Sequence, residues 1–147
     1  MPAGYALPAL TGRVVDKADL LSPAQEATLS AQSAALEKAT GHQFVVVTVS
    51  SLGGHPIEDY GRTLGNFWRI GRKDANDGVL LLVAPTERKV RIEVGYGLEK
   101  TLTNARAAAI IAQDILPAFK AGDMPGGIVA GAAGITRTLT PAGAKAT

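Results

Sequence analysis

Two unbroken apolar runs constrain this chain more than any other feature. Phe44-Val45-Val46-Val47-Thr48-Val49 and Val79-Leu80-Leu81-Leu82-Val83-Ala84 offer almost no polar positions, so a strand built from either needs cover on both faces. Helices on one side only would leave every second side chain in water. The next segment, Lys89-Val90-Arg91-Ile92-Glu93-Val94, alternates strictly and predicts a half-exposed strand. Only Pro85 to Arg88 separate it from the run before, a connection short enough for an antiparallel hairpin.

The helices follow from their caps. In Ser22-Pro23-Ala24-Gln25, Ser22 is a capping residue, Pro23 fits the first helical position and Gln25 completes a capping box. A helix over 23–39 is predicted, with a thin apolar face of Leu29, Leu36 and alanines and a left-handed exit at Gly41. Pro56 opens a second helix, closed by Gly71, in which Ile57, Tyr60, Leu64, Phe67 and Trp68 share a face and Glu58 pairs with Arg62 at i,i+4. Gly61 and Gly65 each cost about 1 kcal/mol there relative to Ala, and their spacing points to close backbone packing on a sheet. A helix over 104–116, capped by Thr103 or Asn104, ends at Pro117 and turns Ile110, Ile111 and Ile115 inward. Asp123 caps the last helix, which carries Ile128, Ile135 and Leu139 and ends at Pro141. With a short strand at Arg13 to Val15, the order predicts an α/β, three-layer αβα sandwich: a small mixed β-sheet with helices on both faces. The domain covers 10–139 and a disordered tail 140–147.

Composition excludes several functions. With 15 Lys+Arg against 13 Asp+Glu, three Phe, three Tyr and one Trp, the chain lacks the basic, aromatic surface that nucleic acid requires. With no cysteine it has no thiol nucleophile, Cys-ligated zinc or iron–sulfur site. No apolar run approaches the roughly 20 residues of a membrane span. Met1 to Leu10 is uncharged and broken by Pro2, Gly4 and Pro8, unlike a secretory leader; either the protein is cytoplasmic or a leader lies outside this sequence. An EF-hand starting at Asp74 fails, since its glycine comes one residue early at Gly78 and Pro85 takes the twelfth position. Gly95-x-Gly97 is followed by Lys100 where a dinucleotide fingerprint needs glycine, so no dinucleotide cofactor is expected. His42, at a strand entry, and His55, beside Pro56, are read as capping or surface residues.

The hairpin places Asn76-Asp77-Gly78 beside Gly95-Tyr96-Gly97-Leu98-Glu99 at one end of the sheet. A crossover through the 57–70 helix makes the two apolar strands parallel, and the helix beginning at Asn104 then starts from the same rim. Asp74, Asp77, Glu99 and Asn104 with the glycine-rich backbone bring together oxygen donors suited to calcium or magnesium. The alternative is that Asp74, Asn76 and Asp77 are turn formers and Glu99 a solvated charge. Arg69, Arg72 and Lys73 at the end of the second helix are either solvated cations complementing its dipole or an anion-binding patch near the rim.

Several motifs in order carry a resemblance: Gly12-Arg13-Val14-Val15-Asp16, Leu20-Leu21-Ser22, Thr40-Gly41, Asp77-Gly78-Val79-Leu80-Leu81-Leu82, Arg88 to Glu93, Gly95-Tyr96-Gly97-Leu98-Glu99 and Gly126-Gly127-Ile128. Over about residues 10 to 139 the chain resembles the TPM domain family, also called the TPM phosphatase family. The resemblance implies an αβα sandwich, usually exported and often tethered to a membrane by segments outside the domain. The location it implies is periplasmic or otherwise extracytoplasmic, with membrane association through segments outside the domain. It implies a divalent cation at the acidic loops, on Asp77, Glu99 and Asp16, with Asn104 standing where members commonly carry aspartate and so lowering the charge of the site. Asp16 reaches the rim only if the extended segment before the first helix carries it there. Some relatives are acid phosphatases and another is a receptor accessory protein, so fold alone leaves function open. Two readings result: an extracytoplasmic module that binds a cation and contacts a membrane-protein partner, and a metal-dependent acid phosphatase. The first is preferred, because no nucleophile–base pair is visible.

Overall fold

A computed structural model describes residues 2–141; the tail expected to be disordered lies, beyond Pro141, outside the described residues. The capping box at the start of the first helix forms as predicted: Ser22 Oγ accepts the Gln25 N–H at 3.1 Å and Gln25 Oε1 accepts the Ser22 N–H at 2.8 Å. The elements are β1 (Val14–Asp16), α1 (Pro23–Thr40), β2 (Gln43–Thr48), α2 (Ile57–Trp68), β3 (Gly78–Ala84), β4 (Lys89–Val94), α3 (Asn104–Ile110), α4 (Leu116–Lys120) and α5 (Met124–Leu139), with a π-helical turn at Ile111–Ile115 joining α3 to α4.

The sheet has the order β1-β2-β3-β4. The first three strands are parallel and β4 is antiparallel to β3. Both apolar runs are covered on both faces, as their composition demands. Phe44, Val46, Val79, Leu81 and Val83 pack with Leu29 and Leu36 of α1 and with Ile110, Ile115, Ile128 and Ile135. Val45, Val47, Leu80, Leu82 and Ala84 pack with Ile57, Tyr60 and Leu64 of α2 and with Leu7. The three-layer sandwich follows directly. Because β1, β2 and β3 step in one direction while α1 and α2 cover opposite faces, the two crossovers have opposite hands; only one of them follows the right-handed rule.

Three local expectations are corrected. Pro117 does not end the helix begun at Asn104, which runs on to Lys120. In a regular α-helix its ring would press on the carbonyl four residues back. The π turn ahead of it, in which the Leu116 N–H reaches the Ile111 carbonyl, winds more widely and removes that conflict. Phe67 is 40% exposed rather than buried with the rest of its helix face. Gly61 and Gly65 are not required by close packing: a Cβ on Gly61 would make only ordinary contacts at 3.6 Å, and one on Gly65 would meet nothing within 4 Å.

Candidate functional site

Gln43 pairs with Gly78 and Val79 with Val94, so the entries of β2 and β3 and the exit of β4 share one end of the sheet. The loops there interlock. The Gly95 N–H donates to the Gly78 carbonyl at 2.7 Å and the Gly97 N–H to the Asn76 carbonyl at 2.9 Å. Cβ atoms on Gly95 and Gly97 would collide with the carbonyls of Asn76 and Ala75, so this approach admits only glycine. Asp74 and Asn76 take left-handed backbone, with φ of 71° and 49°, as turn formers do.

At the centre of this rim is Asp77, whose side chain is 3% exposed. Its Oδ1 accepts the Arg72 backbone N–H at 2.7 Å. Its Oδ2 accepts Arg72 Nε at 2.9 Å, Arg72 Nη2 at 2.8 Å and His42 Nδ1 at 2.9 Å. Burial works to raise the pKa of this carboxyl, but the bonds from the Arg72 side chain, His42 and the Arg72 backbone, with the guanidinium charge, outweigh it and hold the pKa at about 2. An ionised carboxylate can only accept, so His42 donates from Nδ1. Its Nε2 has no partner among the described residues and is not sealed from solvent. The guanidinium lies against Gly41, where a Cβ would sit 2.8 Å from Cζ. Gln43 Oε1 accepts the Gly71 N–H at 2.6 Å. Asp77 thus clasps the loop entering β2 to the loop entering β3.

The other candidates disperse around this clasp. Asp74, Glu99 and Asn104 are exposed. Glu99 lines a groove of about 320 Å³ on the α2 side, with Arg62, Asn66, Asn76, Glu93 and Tyr96. Asp16 ends β1 beside Thr48, at the opposite end of the sheet. There it accepts the Leu20 and Leu21 N–H groups at 3.0 and 2.9 Å and the Thr48 hydroxyl at 2.6 Å, organising the turn into α1; the extended segment does not return it to the rim. Of the basic trio, Arg72 is committed to Asp77, Arg69 rather than the expected Gly71 closes α2 in left-handed conformation, and Lys73 is exposed.

As paired here, the donors do not fit a cation on Asp77, since a guanidinium fills the position the ion would take and both oxygens are bonded. Among the described residues no group of three or more His, Asp or Glu side chains is placed to hold a metal. His42, expected from the sequence as a capping or surface residue, is instead bonded to the buried Asp77 carboxylate, and Gln43 was not singled out. The signal was the register: parallel pairing of Phe44 with Val79 puts the residues just before β2 beside Asp77.

The TPM domain model matches residues 14–138. The chain belongs to the TPM domain family. Solved structures resemble this TPM domain closely. The solution structure of the N-terminal domain of a P. gingivalis protein shares 35% identity at a TM-score of 0.82, over 88% of this chain and 82% of that one. Two more distant structures show the same fold. One is the N-terminal domain of a Corynebacterium glutamicum protein, at 17% identity and TM-score 0.70 over 99% and 94% of the two chains. The other is the BA42 protein of Bizionia argentinensis, at 19% and 0.69 over 82% and 81%. A comparison with curated proteins gives no match. Among the described residues of this TPM domain, no helix is long and apolar enough to cross a membrane.

Proposed function

We propose that this TPM domain is an extracytoplasmic binding module, in which calcium or magnesium orders the rim loops and the rim contacts a membrane-protein partner. The observation that supports it is the commitment of Asp77: a carboxylate bonded through both oxygens to Arg72 and His42 offers no base to a hydroxyl or a water. The rim has recognition chemistry instead. Tyr96 is 81% exposed beside a groove edged by Arg62, Asn66, Glu93 and Glu99, and aromatic and arginine side chains of this kind anchor protein contacts. In this reading the cation competes with Arg72 for the Asp77 carboxylate. Calorimetric titration with calcium and magnesium, beside a phosphomonoester assay on repurified protein, tests it. Binding without turnover is expected; turnover abolished by Asp77→Asn in a folded protein would overturn it.

One observation favours the second reading, a metal-dependent acid phosphatase. His42 is held through Nδ1 by a buried carboxylate and leaves Nε2 open, the arrangement that orients an imidazole for acid–base work, with Arg72 alongside to neutralise a phosphate. This reading requires His42→Ala to abolish hydrolysis.

A further inference from the structure

The N-terminal segment covers part of the α2 face. Ahead of the span matched by the family, residues 4–8 run along α2 and its entry loop. Side chains from that loop and helix bond alternate carbonyls of the segment. His55 Nε2 donates to the Gly4 carbonyl at 2.7 Å, the Tyr60 hydroxyl to the Ala6 carbonyl at 3.4 Å, and Trp68 Nε1 to the Pro8 carbonyl at 2.9 Å. A spacing of two is that of extended backbone. The side chains between these carbonyls dock into the body: the Tyr5 ring stacks on His55 with centroids 3.8 Å apart and planes 11° apart, and Leu7 is buried in the α2 core.

Among the described residues, no backbone-to-backbone hydrogen bond ties residues 2–12 to the chain beyond them. Side chains alone hold the segment, and residues 9–12 that join it to β1 are exposed. Beside it lies a cleft of about 390 Å³, lined by Ala6, Leu7, Pro8, Lys17, Ser50 and Tyr60. An imidazole, a phenol and an indole that bond main-chain carbonyls, with apolar side chains seated between, are the chemistry by which grooves bind extended, proline-containing peptides. Main-chain recognition of this kind tolerates many sequences.

We propose that the α2 face is a recognition groove for an extended, uncharged, proline-containing segment of a partner polypeptide, and that residues 4–8 fill it in cis as a built-in competitor. Trp68, the sole tryptophan, reports occupancy. With a protease site placed in the exposed 9–12 linker, cutting the folded protein turns the segment into a non-covalent ligand. The nicked chain is expected to keep its fold, to lose the segment on dilution with a red shift of Trp68 emission, and to recover on titration with a capped peptide of residues 2–10. A peptide carrying Leu7→Asp should bind at least about tenfold more weakly. The uncut chain should bind the native peptide about tenfold or more weakly, because the tethered segment competes at high effective concentration. If the nicked body unfolds when the segment leaves, if the segment never exchanges, or if the two peptides bind alike, the groove is ordinary core and the proposal fails. Elution of the uncut protein as a segment-exchanged dimer overturns it equally. Should the site insertion itself prevent folding, the uncut Leu7→Asp chain replaces it: native peptide must shift Trp68 emission in that folded variant, and silence refutes the proposal.

Discussion

Asp77→Asn isolates the electrostatic contribution of the clasp. The Asp77 carboxyl ionises near 3.8 when free and at about 2 in the folded domain. At about 1.36 kcal/mol per pH unit, that gap corresponds to about 2.4 kcal/mol of stability at neutral pH. Arg72, its main partner, is 56% exposed, and solvent screening of the pair brings the expected value to roughly 1–2 kcal/mol. The sign follows from the depressed pKa: the stabilisation is complete above the unfolded value of 3.8 and is lost as pH falls toward about 2. Melting curves of wild type and Asp77→Asn at about pH 7 and about pH 2.5 should therefore converge on acidification. At neutral pH the variant should melt lower by roughly 3–8 °C for a domain of this size. If both proteins lose the same stability between the two pH values, the carboxylate is not the group that couples folding to acid there.

The remaining predictions concern the loops and the far end of the sheet. Gly97→Ala, whose Cβ would strike the Ala75 carbonyl, should cost about 2 kcal/mol or more, whereas Gly65→Ala, with open space around it, should stabilise by about 0.5–1 kcal/mol; chemical denaturation of the pair gives opposite signs. Arg72→Gln takes the guanidinium off Asp77 Oδ2 and leaves only His42 on that oxygen, so calcium should raise the melting temperature of this variant more than that of wild type, approaching about 2.7 kcal/mol at a hundredfold excess over Kd; equal responses would remove Asp77 from any cation site. Asp16→Ala should destabilise by about 1–3 kcal/mol through the turn it holds while leaving cation response untouched, and a lost response would show that the two ends of the sheet are coupled.

The layers of the fold were legible because Phe44 to Val49 and Val79 to Ala84 admit only a strand covered on both faces, and because Ser22, Thr103 and Asp123 mark helix starts by chemistry that acts within three residues. The failures were non-local. Pro117 is a breaker in an α-helix, and nothing in its neighbours announces the wider turn that accommodates it. Phe67 fits the helical period of Tyr60 and Leu64, but what that period meets is set by where the sheet ends. At the rim, the adjacency of the Asp77 and Glu99 loops could be inferred from the hairpin alone. The partner of Asp77 could not, because Arg72 lies five residues away across a turn whose direction depends on the left-handed residues Asp74 and Asn76. His42 was within reach by counting back from the parallel register.

The two outer strands have a consequence for life at high concentration. β1, three residues long, and β4, with Lys89, Arg91 and Glu93 along it, form the margins of the sheet. A margin that is very short or heavily charged is a poor template for a foreign strand. This domain can therefore be crowded against copies of itself without its sheets growing into one another.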